Sequence, residues 1–183
     1  MAPAEKSELR ECASRCVAAI GLTRGPIHAE FRINDKGVWP LEIAPRPIGG
    51  LCSRALRFGS QKLSLEELLI RDALLLGGTD IDRETEASAV MMVPVPSSGI
   101  FDKVEGIEKA VRVPYITQIE ITARFKDYVD AWPQGSSYLG FIFARAPQPA
   151  QAESALREAH SLLRFKFSPR LPVQHPVTGK VSA

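Results

Sequence analysis

Apolar residues recur three and four apart from the start of the chain. Leu9, Cys12, Ala13, Cys16, Val17 and Ile20 fall on one side of a helical wheel, the spacing of an amphipathic helix. Pro3 suits the opening of that helix and Gly21 its end. The period then shortens to two. PIHAEFRI alternates as a strand, Asn34 to Gly37 (NDKG) has the composition of a tight hairpin turn, and VWPLEIA returns as a second strand. Pro45 and Pro47 end it, because neither can donate to a sheet ladder.

Beyond Gly49 and Gly50 a short helix is expected from Cys52 to Phe58. A stronger one follows from Ser64, where Ser64 and Glu67 have the spacing of a capping box. Leu65, Leu68, Leu69, Ala73 and Leu76 form its apolar stripe, expected to be buried, and Gly77-Gly78 its stop. The polar run GGTDIDRETEAS marks a boundary between lobes. After it, SAVMMVPV, AVRVP, TQIEITARF and SYLGFIFARA read as strands joined by Gly, Pro and Ser turns. A last helix opens near Pro149, with Ala152, Ala155, Leu156, Ala159, Leu162 and Leu163 on one face. The residues from Ser168 onward are Pro-rich and polar, and are expected to be mobile. The pattern therefore predicts an α+β chain: a helix-and-hairpin lobe over 1–80, a β-rich lobe with a C-terminal helix over 84–167, and a tail over 168–183.

Composition narrows the function classes. The chain has 183 residues, 45% hydrophobic and 24% charged, ordinary values for a globular protein. A formal net charge of +2 is too small to argue for nucleic acid or an acidic membrane as partner. No apolar run approaches membrane-spanning length, and charges fill the N-terminal stretch where a signal peptide needs its apolar segment. A cytoplasmic location is the expectation. The three cysteines, Cys12, Cys16 and Cys52, lack zinc spacing and read as small buried hydrophobes in a reducing compartment.

The candidate chemistry lies in the hairpin. On the first strand His28, Glu30 and Arg32 share one face. On the second, Glu42 projects opposite Leu41 and Ile43. If the strands pair around NDKG, Glu30 and Glu42 lie on one face of neighbouring strands, where like charges repel. A divalent cation relieves that repulsion, and Mg²⁺ takes a few carboxylates together with phosphate oxygens. Arg46, just past the strand end, has a guanidinium that can hold a phosphoryl or carboxylate group bidentately. Gly49 and Gly50 allow close backbone approach and precede a helix start, which favours an anion. The same residues also suit an exposed edge hairpin on which Glu30 and Glu42 pair with Arg32 and Arg46.

The stretch HAEFRINDKGVWPLEIAPRPIGG resembles the C-terminal end of the ATP-grasp fold, in the carboxylate–amine ligase branch that includes the bacterial L-amino-acid ligases. The lobe from YITQIEITARF to SALREAHSLLRF is similar to the β-rich lobe closing those ligases, and to that of biotin carboxylase. The fold implied is the C-terminal part of an ATP-grasp domain, antiparallel strands with helices, followed by that lobe. The reaction implied is ATP-dependent joining of a carboxylic acid to an amine through an acylphosphate. The resemblance places Mg²⁺ or Mn²⁺ on Glu30 and Glu42, the transferred phosphoryl group on Arg46, a substrate carboxylate on the backbone of Gly49 and Gly50, and His28 beside the acceptor pocket. Ala44 stands where many ATP-grasp enzymes have a metal-binding Asn, which bears on whether one metal ion or two would bind. Such ligases are more than twice as long as this chain, and their nucleotide-clamping lysines and glycine-rich loop lie upstream. The chain is thus expected to be a C-terminal fragment, inactive alone, whose substrates are small-molecule carboxylates and amines.

Two other readings belong beside this one. A non-enzymatic binding module, its β-rich lobe serving a homodimer or another partner, is distinguished from a ligase by whether a clamping lysine and glycine-rich loop are encoded upstream. A biotin-carboxylase-like protein fits the lobe but not the substrate loop. Met91-Met92, Trp39 and Trp132 read as packing residues, and Ser97-Ser98-Gly99 as a turn.

Overall fold

The computed structural model describes residues 3–76 and 81–170, with the backbone of Val173–Gln174 and Val181–Ser182. The chain divides into two compact units, Met1–Glu84 and Thr85–Ala183.

The first unit opens with helix α1, Pro3–Ala19. Cys12 is its buried residue, and its thiol lies 3.9 Å from the carbonyl of Val38 on the hairpin behind it. Gly21, at φ +72°, ends the helix. The N–H of Gly21 reaches the Ala18 carbonyl and that of Leu22 the Val17 carbonyl, the paired bonds of a Schellman stop that favours glycine. Ile20, expected in the apolar stripe, lies past the helix end and is exposed. Strands β1, His28–Asn34, and β2, Gly37–Ala44, then pair antiparallel. The Asn34 side chain accepts from the Lys36 N–H at 2.9 Å and from the Trp39 indole at 3.3 Å, an Asx turn that fixes the reversal. Register runs from Asn34 opposite Gly37 to His28 opposite Ala44, with a shift between Glu30 and Phe31. The shift leaves Leu41 as an extra residue, a β-bulge, and its side chain is 62% exposed.

Two expectations for this unit are corrected. The helix from Cys52 to Phe58 is only a 3₁₀ turn, Cys52–Ala55; Phe58 instead bridges to Leu63 and Arg83. Helix α2, Leu65–Ala73, begins where Ser64 accepts from the Glu67 N–H at 3.1 Å. The Glu67 carboxylate turns to Arg71 at 3.0 Å, forming an i,i+4 pair along the helix. The apolar stripe of α2 is not buried: Leu65, Leu68 and Leu69 are half-buried, and Ala73 and Leu76 exposed. Among the described residues, Cys12, Ala55 and Leu63 are the buried hydrophobic side chains of this unit; it has no layer of side chains thick enough to cover α2. The expected stop at Gly77-Gly78 lies outside the described residues.

The second unit holds the larger core. Strands β3 (Ala87–Val93), β7 (Gly140–Ala146) and β5 (Ile116–Ile121) form one antiparallel sheet in the order β3-β7-β5. Strands β6 (Tyr128–Val129), β4 (Gly99–Glu105) and β8 (Arg164–Ser168) form another in the order β6-β4-β8. Helix α4, Pro149–Leu162, opens at the predicted proline and sets Ala152, Ala155, Leu156 and Ala159 against Ile142, Ala144 and Val93 in one cluster. AVRVP is not a strand. Gly106, at φ +91°, starts the short helix α3, Ile107–Ala110, which buries Ala110 and leads into a turn that buries Val113. Strands β4 and β8 escape the sequence pattern because charged residues interleave GIFDKVE and RFKFS. They are held by Phe101, whose ring lies 6.5 Å from Phe165 and 6.0 Å from Phe167. Strand β8 takes in Ser168, where a tail was expected. Past residue 170 the tail lies outside the described residues, apart from the backbone of β9 (Val173–Gln174) and β10 (Val181–Ser182), which pair with each other. Among the described residues no helix is long and apolar enough to cross a membrane.

Candidate metal and phosphate site

The hairpin register sets Glu30 directly opposite Glu42, immediately beside the bulge. Alternation along β1 turns Ala29, Phe31 and Ile33 to the half-buried side and leaves Glu30 and Arg32 exposed. His28 Nε2 lies 3.2 Å from Glu30 Oε1, which places the two residues on one face as the spacing predicts. Arg32 does not pair with Glu30. Across the hairpin, Arg46 Nη2 lies 3.5 Å from Glu42 Oε1, and Arg46 Nη1 donates to the Pro47 carbonyl at 3.1 Å. The Arg46 N–H donates to the Ala44 carbonyl at 2.8 Å, a tight turn that swings the guanidinium back toward the strand end. The side chains of Glu30, Glu42 and Arg46 are each about half exposed, at 55%, 50% and 53%. His28 is less so, at 21%.

In the loop that follows, Gly50 has φ +66°, a left-handed turn that other residues enter at a cost. Gly49 has open space within 4 Å of where a side chain would begin, so a ligand can approach its backbone. The expected helix N-terminus is reduced to the 3₁₀ turn, whose first residue has no side-chain cap. One turn has too few aligned peptides for a macrodipole, so attraction for an anion here would rest on the loop N–H groups and Arg46.

Among the described residues no group of three or more His, Cys, Asp and Glu could hold a metal ion. The hairpin offers two carboxylates. That set fits Mg²⁺, which takes one or two protein carboxylates and completes its shell with phosphate oxygens and water. It does not suit zinc, which favours nitrogen and sulfur ligands in closed sites. Ala44, at the strand end, contributes no further oxygen from its side chain.

Away from the hairpin, a concavity of the first unit, about 460 Å³, is bordered by Arg24, Pro26, Leu68, Leu69, Leu75 and Ile81, among others. Nothing in the residue pattern announces it, since Leu68, Leu69 and Leu76 of its wall belong to the stripe expected to be buried. Arg24 grips Asp72 there, with Nη2 2.9 Å from Oδ1 and 2.6 Å from the Asp72 carbonyl. The hydrogen bond from Arg24 lowers the Asp72 pKa and raises that of Arg24.

Comparison with known proteins finds similarity along both units. Residues 2–55, which include the hairpin, match the ATP-grasp domain family. Residues 91–168 match the L-amino acid ligase C-terminal domain 2, so the β-rich unit is of the kind found in L-amino acid ligases, and the resemblance carried by both stretches stands. A protein described as uncharacterized protein y4rH, from Sinorhizobium fredii (strain NBRC 101917 / NGR234), is 24% identical over 166 residues, 85% of this chain and 32% of that protein. The chain thus spans about a third of the length of this curated relative. In fold it is similar to L-amino acid ligase from Bacillus licheniformis, with TM-score 0.76 and 21% identity over 92% of this chain and 42% of that one. It is also similar to phosphoribosylglycinamide synthetase from Anaerococcus prevotii, with TM-score 0.74 and 12% identity over 92% of this chain and 43% of that one. A third likeness is to N5-carboxyaminoimidazole ribonucleotide synthetase from Thermotoga maritima, with TM-score 0.68 and 16% identity over 92% and 44%.

Proposed function

We propose that this chain supplies the metal- and phosphate-facing wall of an ATP-dependent ligase that joins a carboxylic acid, in particular an amino acid, to an amine through an acylphosphate. The observation that carries this reading is the pairing of Glu30 with Glu42 across the hairpin, with Arg46 on the second carboxylate. Glu30 and Glu42 would hold Mg²⁺ or Mn²⁺. Bound there, the ion would neutralise phosphate charge, the main task of a protein in phosphoryl transfer. Arg46 has two roles in turn. Without a ligand it balances Glu42. With one, its planar fork can hold the transferred phosphoryl oxygens, an electrostatic contact that counts most as charge develops on that group. The N–H groups of Gly49 and Gly50 hold a substrate carboxylate, and His28 borders the acceptor pocket.

The same reading holds that this chain turns over no ATP alone. The support is its span, 32% of the curated relative and 42% of the L-amino acid ligase, together with the absence from its sequence of a glycine-rich phosphate loop. The test titrates Mn²⁺ into the labelled chain and follows paramagnetic broadening. Broadening that begins at Glu30 and Glu42 and disappears in Glu42→Gln supports the reading; broadening centred elsewhere overturns it. A coupled ADP-release assay with a panel of amino acids should stay at background, and turnover would refute the claim of inactivity.

A further inference from the structure

We infer that His28 is a positioning residue for the metal site: it fixes the rotamer of Glu30 so that one carboxylate oxygen is held and the other is offered to the ion. The inference rests on the reading of the hairpin as a metal site and adds to it a partner that holds a ligand in place. His28 Nε2 sits 3.2 Å from Glu30 Oε1. A carboxylate only accepts, so Nε2 must carry the proton that bridges them. The imidazole is the better-packed member, 21% exposed against 55%, so the ring is the anchor and the carboxylate the group anchored. Glu42 has a parallel arrangement, its Oε1 facing Arg46. Each carboxylate is therefore engaged through one oxygen, and among the described residues the other oxygen has no partner. Outer groups that orient ligating side chains in this way commonly contribute 10–100-fold to metal affinity. A half-exposed glutamate without such a partner samples several rotamers and must be ordered by the ion itself.

The experiment measures Mn²⁺ affinity of the whole chain by electron paramagnetic resonance, for wild type and for His28→Ala, His28→Gln, Glu30→Gln and Glu42→Gln. A melting curve for each variant confirms that it folds. Glutamine carries an N–H at about the reach of Nε2 and can replace the hydrogen bond; alanine cannot. The expected result is at least about tenfold weaker binding in His28→Ala, with most of the affinity kept in His28→Gln. Wild-type affinity in His28→Ala, with Glu30→Gln impaired, overturns the positioning role and leaves the metal site standing. Equal loss in the Ala and Gln variants also overturns it, since the imidazole would then be needed as a ligand. Unchanged affinity in both glutamate variants refutes the metal site itself.

Discussion

Glu30 and Glu42 are register partners on adjacent strands, so two acidic residues occupy directly opposite positions of the hairpin. Like charges directly opposite destabilise a strand pair by roughly 0.2–1 kcal/mol. Glu30→Gln removes the repulsion while its amide oxygen can still accept from His28. In chelator-treated buffer this variant is therefore expected to melt slightly above wild type. With millimolar Mg²⁺ the order should reverse, because only wild type gains from binding. Paired melting curves with and without Mg²⁺ check this, and a variant less stable in both buffers would show that the two charges do not oppose folding.

Arg46 is half exposed and its contact with Glu42 is 3.5 Å long. An exposed pair of this kind contributes about 0–1 kcal/mol. Arg46→Lys should accordingly change the stability of the chain by less than about 1 kcal/mol. In a turnover-competent polypeptide that contains this hairpin, the same change removes the planar fork and should lower kcat on the order of 10²-fold. Steady-state kinetics and a melting curve separate the two effects. A collapsed melting temperature would make Arg46 a structural residue.

Acid should act on the second unit through Asp102. Lys126 Nζ lies 2.6 Å from Asp102 Oδ1, and Ser168 Oγ donates to Oδ2 at 2.5 Å. The Lys126 hydrogen bond first, then Ser168, lowers the Asp102 pKa below its ordinary 3.8. A carboxylate whose pKa is depressed by folding stabilises above its unfolded pKa, and that contribution is lost as pH falls through the folded value. Stability should therefore hold down to about pH 4 and decline below it. Asp102→Asn should flatten that decline and lower stability at neutral pH. Melting followed at β4 and β8 between neutral pH and pH 2.5 provides the measurement.

Gly106 and Gly49 make a contrasting pair. A methyl group on Gly106 would lie 2.1 Å from the Leu162 carbonyl oxygen, at a φ of +91°. Neither the backbone angle nor the space allows it, so Gly106→Ala should cost more than about 1 kcal/mol. Gly49 has open space around it, and Gly49→Ala should stay within about 0.5 kcal/mol of wild type. Denaturant midpoints of the two variants decide the point.

The sequence pattern is most legible where one periodicity runs unbroken. Helix α1, the hairpin and helix α4 lie where their spacing puts them, and the turn at Asn34 is written in its residue types. The juxtaposition of His28 with Glu30 follows from alternation alone. The exact pairing of Glu30 with Glu42 does not, because it depends on the bulge at Leu41, which no propensity marks. Strands β4 and β8 are hidden for a related reason: Lys103, Glu105, Arg164 and Lys166 occupy positions that keep one side of each strand in water. AVRVP reads as a strand only until the left-handed Gly106 is taken into account. On α2 the apolar spacing is real, but burial depends on what lies across from a helix, and its own sequence cannot supply that.

The uneven distribution of core between the units has a thermodynamic consequence. The first unit buries Cys12, Ala55 and Leu63 among its described hydrophobic residues, while Leu139, Ile142 and Val93 anchor the second with almost no exposure. Segments with few buried apolar contacts open at low free energy, so amides of the hairpin should exchange with solvent well before those of β7. The candidate site thus lies on the softer half of the chain. Any ion or phosphate that binds only the closed hairpin adds its own free energy to that half, about 2.7 kcal/mol at a hundredfold excess over Kd. Occupancy of the site would then be legible as slowed exchange around Glu30 and Glu42, before any chemistry takes place.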